Sequence, residues 1–370
     1  MEDEPYRGFE QGPIRPPSEA GSLLLRLTRN CPWNRCKFCA VYKDTDFSRR
    51  PVAHVLRDIE AVHQAVLALT GRTGGEAGAA DDPGAWQAAA HWLRNGGRSV
   101  FLQDADSLVL PPAEMVAILL HLAERFPEGQ RVTSYTRSRT VARLELRDLQ
   151  SIRQAGLNRL HIGLESGCNE VLRRMHKGTT KRNQIVAGQK VKQAGMELSE
   201  YYMPGLGGRS LWEAHAQETA AALNEINPDF IRLRTLAIPW GAPLYEEYQA
   251  GRFDKPTDLE MAREIKLFLE SLQGITSTVV SDHILNLLPE VEGTLPQDQG
   301  RMTTVIERFL QMNPGEQSLY QVGRRLGVFG GLDDLENPFR RRRAEEVIRK
   351  HEITPEKVEG VVDELMRRFV

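Results

Sequence analysis

Cysteine is scarce in this chain, at four residues in 370. That argues against a disulfide-stapled scaffold, which suits short secreted domains, and leaves thiols available for other work. Net charge is also nearly absent, at −2, so electrostatics give no case for a dedicated nucleic-acid binder. No apolar run approaches the ~20 residues needed to span a bilayer. The first residues, Met1-Glu-Asp-Glu-Pro-Tyr6, are acidic and polar, unlike a secretory signal. No internal repeat and no second cysteine cluster occur. What is present is a globular composition, 41% hydrophobic and 26% charged, with 7% aromatics. The expected setting is the cytoplasm, where thiols stay reduced. The expected size is one large domain with an appendage, or two ordinary domains.

Residues 1–20 hold four prolines and no periodicity, and read as an N-terminal arm. A short apolar run at 22–28 suits a buried strand. A helix fits 52–69, with Val55, Ile59, Val62 and Val66 near helical spacing. The Gly/Ala/Asp-rich stretch 71–83 reads as an insertion. Strands then alternate with helices: strands at 99–103, 131–135, 159–164, 197–203 and 230–236, helices at 111–125, 144–155, 169–175, 181–194 and 210–226. Six strand–helix units argue for an α/β fold with parallel strands and helical crossovers. From about residue 245 the pattern turns helical, at 261–272, 302–311 and 340–370. The division expected is an arm at 1–20, a core at 21–244 and a mostly helical C-terminal extension at 245–370.

Three of the four cysteines stand together: Cys31, Cys36 and Cys39, directly after the first strand. A closed structural zinc or iron–sulfur site takes four protein ligands. Three thiolates with no nearby fourth leave a metal position open for a substrate or cofactor. The bland alternative is a zinc site completed by histidine, but no histidine lies within ten residues of the three, His54 being the nearest. The fourth cysteine, Cys168, follows Gly167 at a helix start, where it is a small packing residue, a further ligand or a reactive thiol.

The strand–Cys-x4-Cys-x2-Cys–helix context, with Phe38 before the last cysteine, resembles the radical SAM superfamily. The commonest spacing there has three residues between the first two cysteines; here Pro32, Trp33, Asn34 and Arg35 make four. The segment from His161 to Thr180 is similar to the fourth-strand region of the branch containing oxygen-independent coproporphyrinogen oxidase, the Elongator catalytic subunit and the methylthiotransferases. Tyr201-Tyr-Met-Pro-Gly-Leu-Gly-Gly208 resembles that branch's fifth-strand end. The resemblance covers about residues 22–240 and implies a partial (β/α)6 TIM-like barrel. It implies that Cys31, Cys36 and Cys39 hold a [4Fe–4S] cluster whose fourth iron takes S-adenosylmethionine (SAM). Reductive cleavage of SAM would then yield an adenosyl radical that abstracts hydrogen from a substrate. On the same resemblance Phe38 shields the cluster, and Asp104 or Asp106 serves the SAM amino group. Glu165 faces the ribose or amino group, Lys177 pairs with the carboxylate, and the turn at Gly205 lies near the adenine. A reductant such as flavodoxin or ferredoxin is implied as a partner.

Each residue also has a plainer reading. Asp104 and Asp106 are ordinary turn and cap residues, and Lys177 is an ordinary helix-end lysine. Arg232 and Arg234, inside a strand, either bind an anion such as the SAM carboxylate or pair with carboxylates of the core. Arg340-Arg-Arg-Arg343 reads as an exposed helix start balanced by Glu345 and Glu346 rather than a nucleic-acid patch. A methylthiotransferase is disfavoured, because a second cluster needs about three more cysteines. With 30 residues before Cys31, no cobalamin domain is expected ahead of it. The function expected is a radical SAM enzyme acting on a small molecule or cofactor precursor, with nucleic acid disfavoured and no membrane. The alternatives are a non-catalytic iron–sulfur or metal-binding regulator on the same scaffold, and an RNA-modifying radical SAM enzyme.

Overall fold

The computed structural model describes residues 4–72, 82–127 and 130–368, so most of the insertion expected at 71–83 lies outside the described residues. The chain divides into two compact units. The first comprises Met1–Asn34, Asp44–Gly163 and Val186–Leu198; the second comprises Arg35–Lys43, Leu164–Ile185 and Ser199–Val370.

The strands are β1 (Leu23–Arg26), β2 (Thr28–Arg29), β3 (Ser48–Arg49), β4 (Ser99–Gln103), β5 (Arg131–Thr136), β6 (Leu157–Glu165), β7 (Glu197–Tyr202), β8 (Phe230–Leu233), β9 (Thr278–Val280) and β10 (Gly293–Thr294). One sheet holds eight of them in the order β1-β4-β5-β6-β7-β8-β9-β10. Its pairings are parallel at β1–β4, β4–β5, β5–β6, β7–β8 and β8–β9; only β10 runs antiparallel, to β9. Parallel strands covered on both faces read as near-continuous apolar runs, and Val100, Phe101 and Leu102 of β4 are all fully buried. The expectation of a parallel α/β sheet with helical crossovers holds.

In the first unit, α1 (Val52–Leu69) buries Val55, Ile59 and Val62 at helical spacing, over the span that the sequence periodicity gives. The next helix, α2 (Pro83–Arg94), was not foreseen. It starts at Asp82, whose side chain accepts from the Ala85 amide at 3.0 Å, with Pro83 in the first turn. Its alanine-rich face offers little periodicity, and Trp92 anchors it by donating to the Ser99 carbonyl at 2.7 Å. α3 (Pro112–Arg125), α4 (Ser138–Arg143) and α5 (Leu146–Gln154) follow β4 and β5; of these the short α4 was not read from the sequence. In the N-terminal arm, Glu10 bonds both Arg26 and Arg29, at 2.8 Å each.

α6 (Asn169–Arg174) and α7 (Lys181–Gln193) link β6 to β7, and α8 (Gly208–Ile226) links β7 to β8. In the second unit β8 ends at Leu233, three residues early, because Thr235 donates its amide to the Asn286 side chain at 3.0 Å. The C-terminal part is mostly helical, as expected: α9 (Pro243–Gln249), α10 (Asp258–Ser271), α11 (Gln299–Leu310), α12 (Pro314–Arg325), α13 (Pro338–Lys350) and α14 (Val358–Arg367). It also returns β9 and β10, which the sequence pattern concealed because each is three residues or fewer. The helix read over 340–370 is two helices, parted at Glu352 (φ +48°) and Pro355. Val358, Val362 and Met366 of α14 pack with Val322 of α12 and Leu285 in one buried cluster. Arg325 and Asp258 form a fully buried ion pair at 2.7 Å beside them.

Candidate active site

The cysteine loop leaves the sheet after β1 and is closed at its base by the β2–β3 pair, where Thr28 faces Arg49 and the Arg50 amide bonds the Leu27 carbonyl at 3.1 Å. Asn30 (φ +68°) and Asn34 (φ +40°) take the left-handed turns that bend it, a conformation asparagine tolerates. None of the four cysteines is in a disulfide; Cys31, Cys36 and Cys39 are half-buried and Cys168 is buried. In the first unit the Asn34 amide points at Cys31 Sγ from 3.5 Å. Hydrogen bonds to ligand sulfurs tune the potential of a cluster.

In the second unit residues 35–43 are clamped by segments remote in sequence. The Lys37 amide donates to the Met175 carbonyl at 3.0 Å, and its carbonyl accepts from the Leu244 amide at 2.9 Å. Lys37 Nζ pairs with Glu247. Phe38 packs on a buried cluster containing Cys168, Met175 and Leu244, with Tyr245 and Tyr248 beside it. Cys168 is thus a core residue, and α9 holds the loop that carries two of the three cysteines. No motif marks this clamp, since backbone bonds carry no residue signature.

Among the described residues no three His, Cys, Asp or Glu side chains converge as they would on a single metal ion. A [4Fe–4S] cluster takes one cysteine per iron, so its ligands need not meet at one point. Three cysteines in one nine-residue span, none of them in a disulfide, fit that donor set.

The two aspartates of the first unit are buried and internally bonded. Asp104 takes Arg26 at 2.7 Å and accepts from the Asn30 amide at 3.2 Å, so it braces the start of the cysteine loop. Gly12 of the arm lies against it: a Cβ there would stand 2.7 Å from Oδ1. Asp106 accepts from Thr136 Oγ1 at 2.8 Å, Thr140 Oγ1 at 2.6 Å and the Arg137 amide at 3.2 Å. Burial pushes its carboxyl up, against the pull of those donors. All of these contacts join segments remote in sequence, so they are neither the turn bonds nor the helix cap of the plainer reading.

Glu165 and Lys177, in the second unit, do come together. Lys177 Nζ donates to Glu165 Oε1 at 3.1 Å, both side chains being nearly buried, and stands 5.6 Å over the Phe38 ring. The pair is thereby joined to the cysteine loop. Glu165 ends β6 in a left-handed conformation, φ +62°, unusual for a glutamate. Strain of this kind gathers at functional sites, where surrounding structure enforces it. Its second oxygen, Oε2, is buried without a protein partner.

Glu200 on β7 is the residue that sequence reasoning missed. It is 1% exposed, and neither carboxyl oxygen has a protein partner. Burial, aided by the nearby Glu165 charge and opposed by Lys177, holds its carboxyl well above the usual range. The available signal was a carboxylate within a strand otherwise suited to the core.

Arg232 pairs with Asp282 at 2.5 Å and donates to Ser199 Oγ at 3.1 Å. At the end of β7, Gly205 has φ +90° and Gly208 φ +62°, which favour glycine. A Cβ on Gly205 would meet Met261 Sδ at 2.7 Å, which that flexible side chain can relieve by shifting, so the backbone conformation is what calls for glycine there. Among the arginines at 340–343, Arg340 pairs with Asp334 and Arg341 with Glu316 and Glu345. No helix among the described residues is long and apolar enough to cross a membrane.

A tRNA uridine(34) acetyltransferase of Methanocaldococcus infernus is 27% identical over 39% of this chain and 29% of its own length. One from Methanocaldococcus jannaschii is 26% identical over 40% of this chain and 29% of its own. The chain spans less than a third of the length of these relatives. The structure of M. infernus Elp3 lacking its N-terminus aligns at 16% identity, with a TM-score of 0.42, over 53% of this chain and 52% of that one. The model for the radical SAM superfamily matches residues 25–218, just over half of the sequence. The chain belongs to the radical SAM superfamily and is an enzyme of that family, with a [4Fe–4S] cluster and S-adenosylmethionine as its cofactors.

Proposed function

We propose that this enzyme binds its cluster through Cys31, Cys36 and Cys39 and grips SAM with residues of the β6 and β7 strand ends. The observation that carries the reading is the Glu165–Lys177 pair, set against Phe38 of the cysteine loop and keeping one carboxylate oxygen unbonded. A zwitterionic amino acid presents an ammonium and a carboxylate together, and an adjacent carboxylate and ammonium answer both by charge-assisted hydrogen bonds. Glu165 Oε2 accepts from the SAM ammonium, and Lys177 donates to the SAM carboxylate. Glu200, held protonated by its burial, donates its proton to an acceptor of the bound molecule rather than adding a second negative charge beside Glu165. Phe38 keeps water from the cysteines. Within the first unit, Asp104 holds the Asn30 amide, and Asp106 holds the Arg137 amide and the Thr136 and Thr140 hydroxyls. When bound through those cysteines, the cluster would supply the one-electron reduction that SAM cleavage requires.

The substrate class has two readings. A small molecule or cofactor precursor suits the near-neutral charge. An RNA substrate is favoured by the two curated relatives, whose names place their action on tRNA uridine. The expectation against nucleic acid rested on the near-neutral charge, the balanced helix start at Arg340–Arg343 and the lack of an added RNA-binding module; these relatives weigh against it.

The test is anaerobic. The protein is reconstituted with iron and sulfide, given dithionite and SAM, and 5′-deoxyadenosine is quantified with the visible absorbance of the cluster. Wild type forms the nucleoside, and Cys36→Ala loses both signals. Cluster absorbance that survives Cys36→Ala would reject the ligand assignment. Retention of tRNA on the reconstituted protein, weakening with salt, separates the two substrate readings.

A further inference from the structure

Behind the glycine turn of the second unit lies a buried polar network that the reading above does not use. Glu264 of α10 is 0% exposed and reaches from the C-terminal extension to the end of β7. Its carboxyl accepts the Gly205 amide at 3.0 and 3.2 Å and the Tyr202 hydroxyl at 2.6 Å. His215 of α8, also fully buried, stands 3.5 Å away. Its ring bonds Ser166 Oγ at 2.8 Å and the Met203 carbonyl at 3.0 Å. Burial pushes Glu264 up to about 8 and His215 down to about 4, so both are neutral at pH 7 and their approach is not an ion pair. Tyr202 stacks on Phe268 of α10 at 4.2 Å, and Met261 of α10 fills the space where Gly205 lacks a Cβ. One helix face thus holds the turn by an amide bond, a hydroxyl bond and a sulfur contact.

A buried carboxyl costs free energy unless its bonds fix something. A leucine at 264 would satisfy the core of α10, yet it would leave the Gly205 amide without an acceptor. We propose that Glu264 is a positioning residue, which sets the Gly205–Gly208 turn so that its backbone receives the adenine half of S-adenosylmethionine. This rests on the reading of that turn as the adenine side of the site. A purely structural role predicts equal damage to every ligand; a positioning role predicts damage confined to ligands that carry adenine.

The full reconstituted chain is titrated with SAM, with methionine and with 5′-deoxyadenosine, in wild type, Glu264→Met and Glu264→Gln. Methionine is similar to glutamate in volume but accepts no strong hydrogen bond; glutamine keeps an acceptor for Gly205. Glu264→Met should weaken SAM and 5′-deoxyadenosine about tenfold, leaving methionine binding and cluster absorbance unchanged. Glu264→Gln should restore wild-type affinity. Should Glu264→Met fail to fold, Glu264→Asp, which draws the acceptor back by one methylene, is read the same way. Equal SAM affinity in wild type and variant, or equal weakening of methionine, overturns the proposal while leaving the SAM site intact. Wild type that takes methionine but neither adenine-bearing ligand overturns the adenine reading of the turn and the proposal with it.

Discussion

Asp106 in the first unit and Glu200 in the second are both fully buried carboxyls, and the protein treats them in opposite ways. Asp106 is given two threonine hydroxyls and a backbone amide, which use both of its oxygens. Glu200 is given none, and its neighbour Glu165 keeps one oxygen unbonded. A buried carboxyl with a full set of donors is a joint: it ties β4 to the start of α4. A buried carboxyl with no donors is a cost that packing does not repay, and such groups are kept where a ligand completes them. Carboxylates at strand ends look alike in sequence, and the distribution of donors separates them.

The largest effect expected is at the unbonded end. Glu165→Ala should weaken SAM binding by about 100-fold, the scale of a lost charge-assisted bond together with a lysine left unpaired. Without SAM the variant should also melt lower, because Lys177 Nζ loses the Oε1 acceptor that it has in the folded protein. Calorimetric titration of the reconstituted enzyme checks the affinity. Asp106→Ala is the reverse case. Leaving Thr136, Thr140 and the Arg137 amide without their acceptor should cost about 2–4 kcal/mol of stability. The fraction that stays folded should bind SAM normally. Chemical denaturation followed by circular dichroism reads the first, and titration below the transition the second.

The difference between these two carboxylates was only half legible in the sequence. The cysteine trio, the parallel α/β order and the Glu165–Lys177 spacing could all be read, because each is a local pattern or a short motif. Asp104 and Asp106 stood in the same stretch as the expected amino-group ligand, and nothing local says that Thr136 and Thr140 answer one of them. Glu200 was passed over because it sits in a run with two tyrosines and a methionine, where strand periodicity outweighs one charge. Arg232 was singled out for being odd, and its answer, Asp282, lies fifty residues on. The α9 clamp on residues 37 and 38 is made by backbone groups and an ordinary lysine–glutamate pair, which no motif marks. Helix α2 and strands β9 and β10 were missed for lack of length or periodicity rather than for any conflict with propensity.

A smaller effect sharpens the comparison through pH. The Glu264 carboxyl is raised from 4.5 to about 8 by burial, so the folded state holds its proton where the unfolded chain has released it. Its contribution to stability is therefore full below pH 4.5 and is lost as pH rises through about 8. Glu264→Gln removes the titration, and the variant should lose less stability than wild type between those limits. Melting temperatures across that range, at constant ionic strength, read the difference. Parallel curves for the two proteins would show that Glu264 ionises in the folded state as easily as in water.

The central claim is that the unbonded carboxylates of the second unit meet the ligand and the bonded ones of the first unit hold the fold. The measurement that tests it most directly is the shift in melting temperature that SAM produces in the reconstituted enzyme, compared between Glu165→Gln and Asp106→Asn. Glu165→Gln should melt like wild type without SAM and gain little on adding it. Asp106→Asn should melt lower without SAM and gain as much as wild type does. A normal SAM shift in Glu165→Gln, together with a lost shift in Asp106→Asn, would contradict the account.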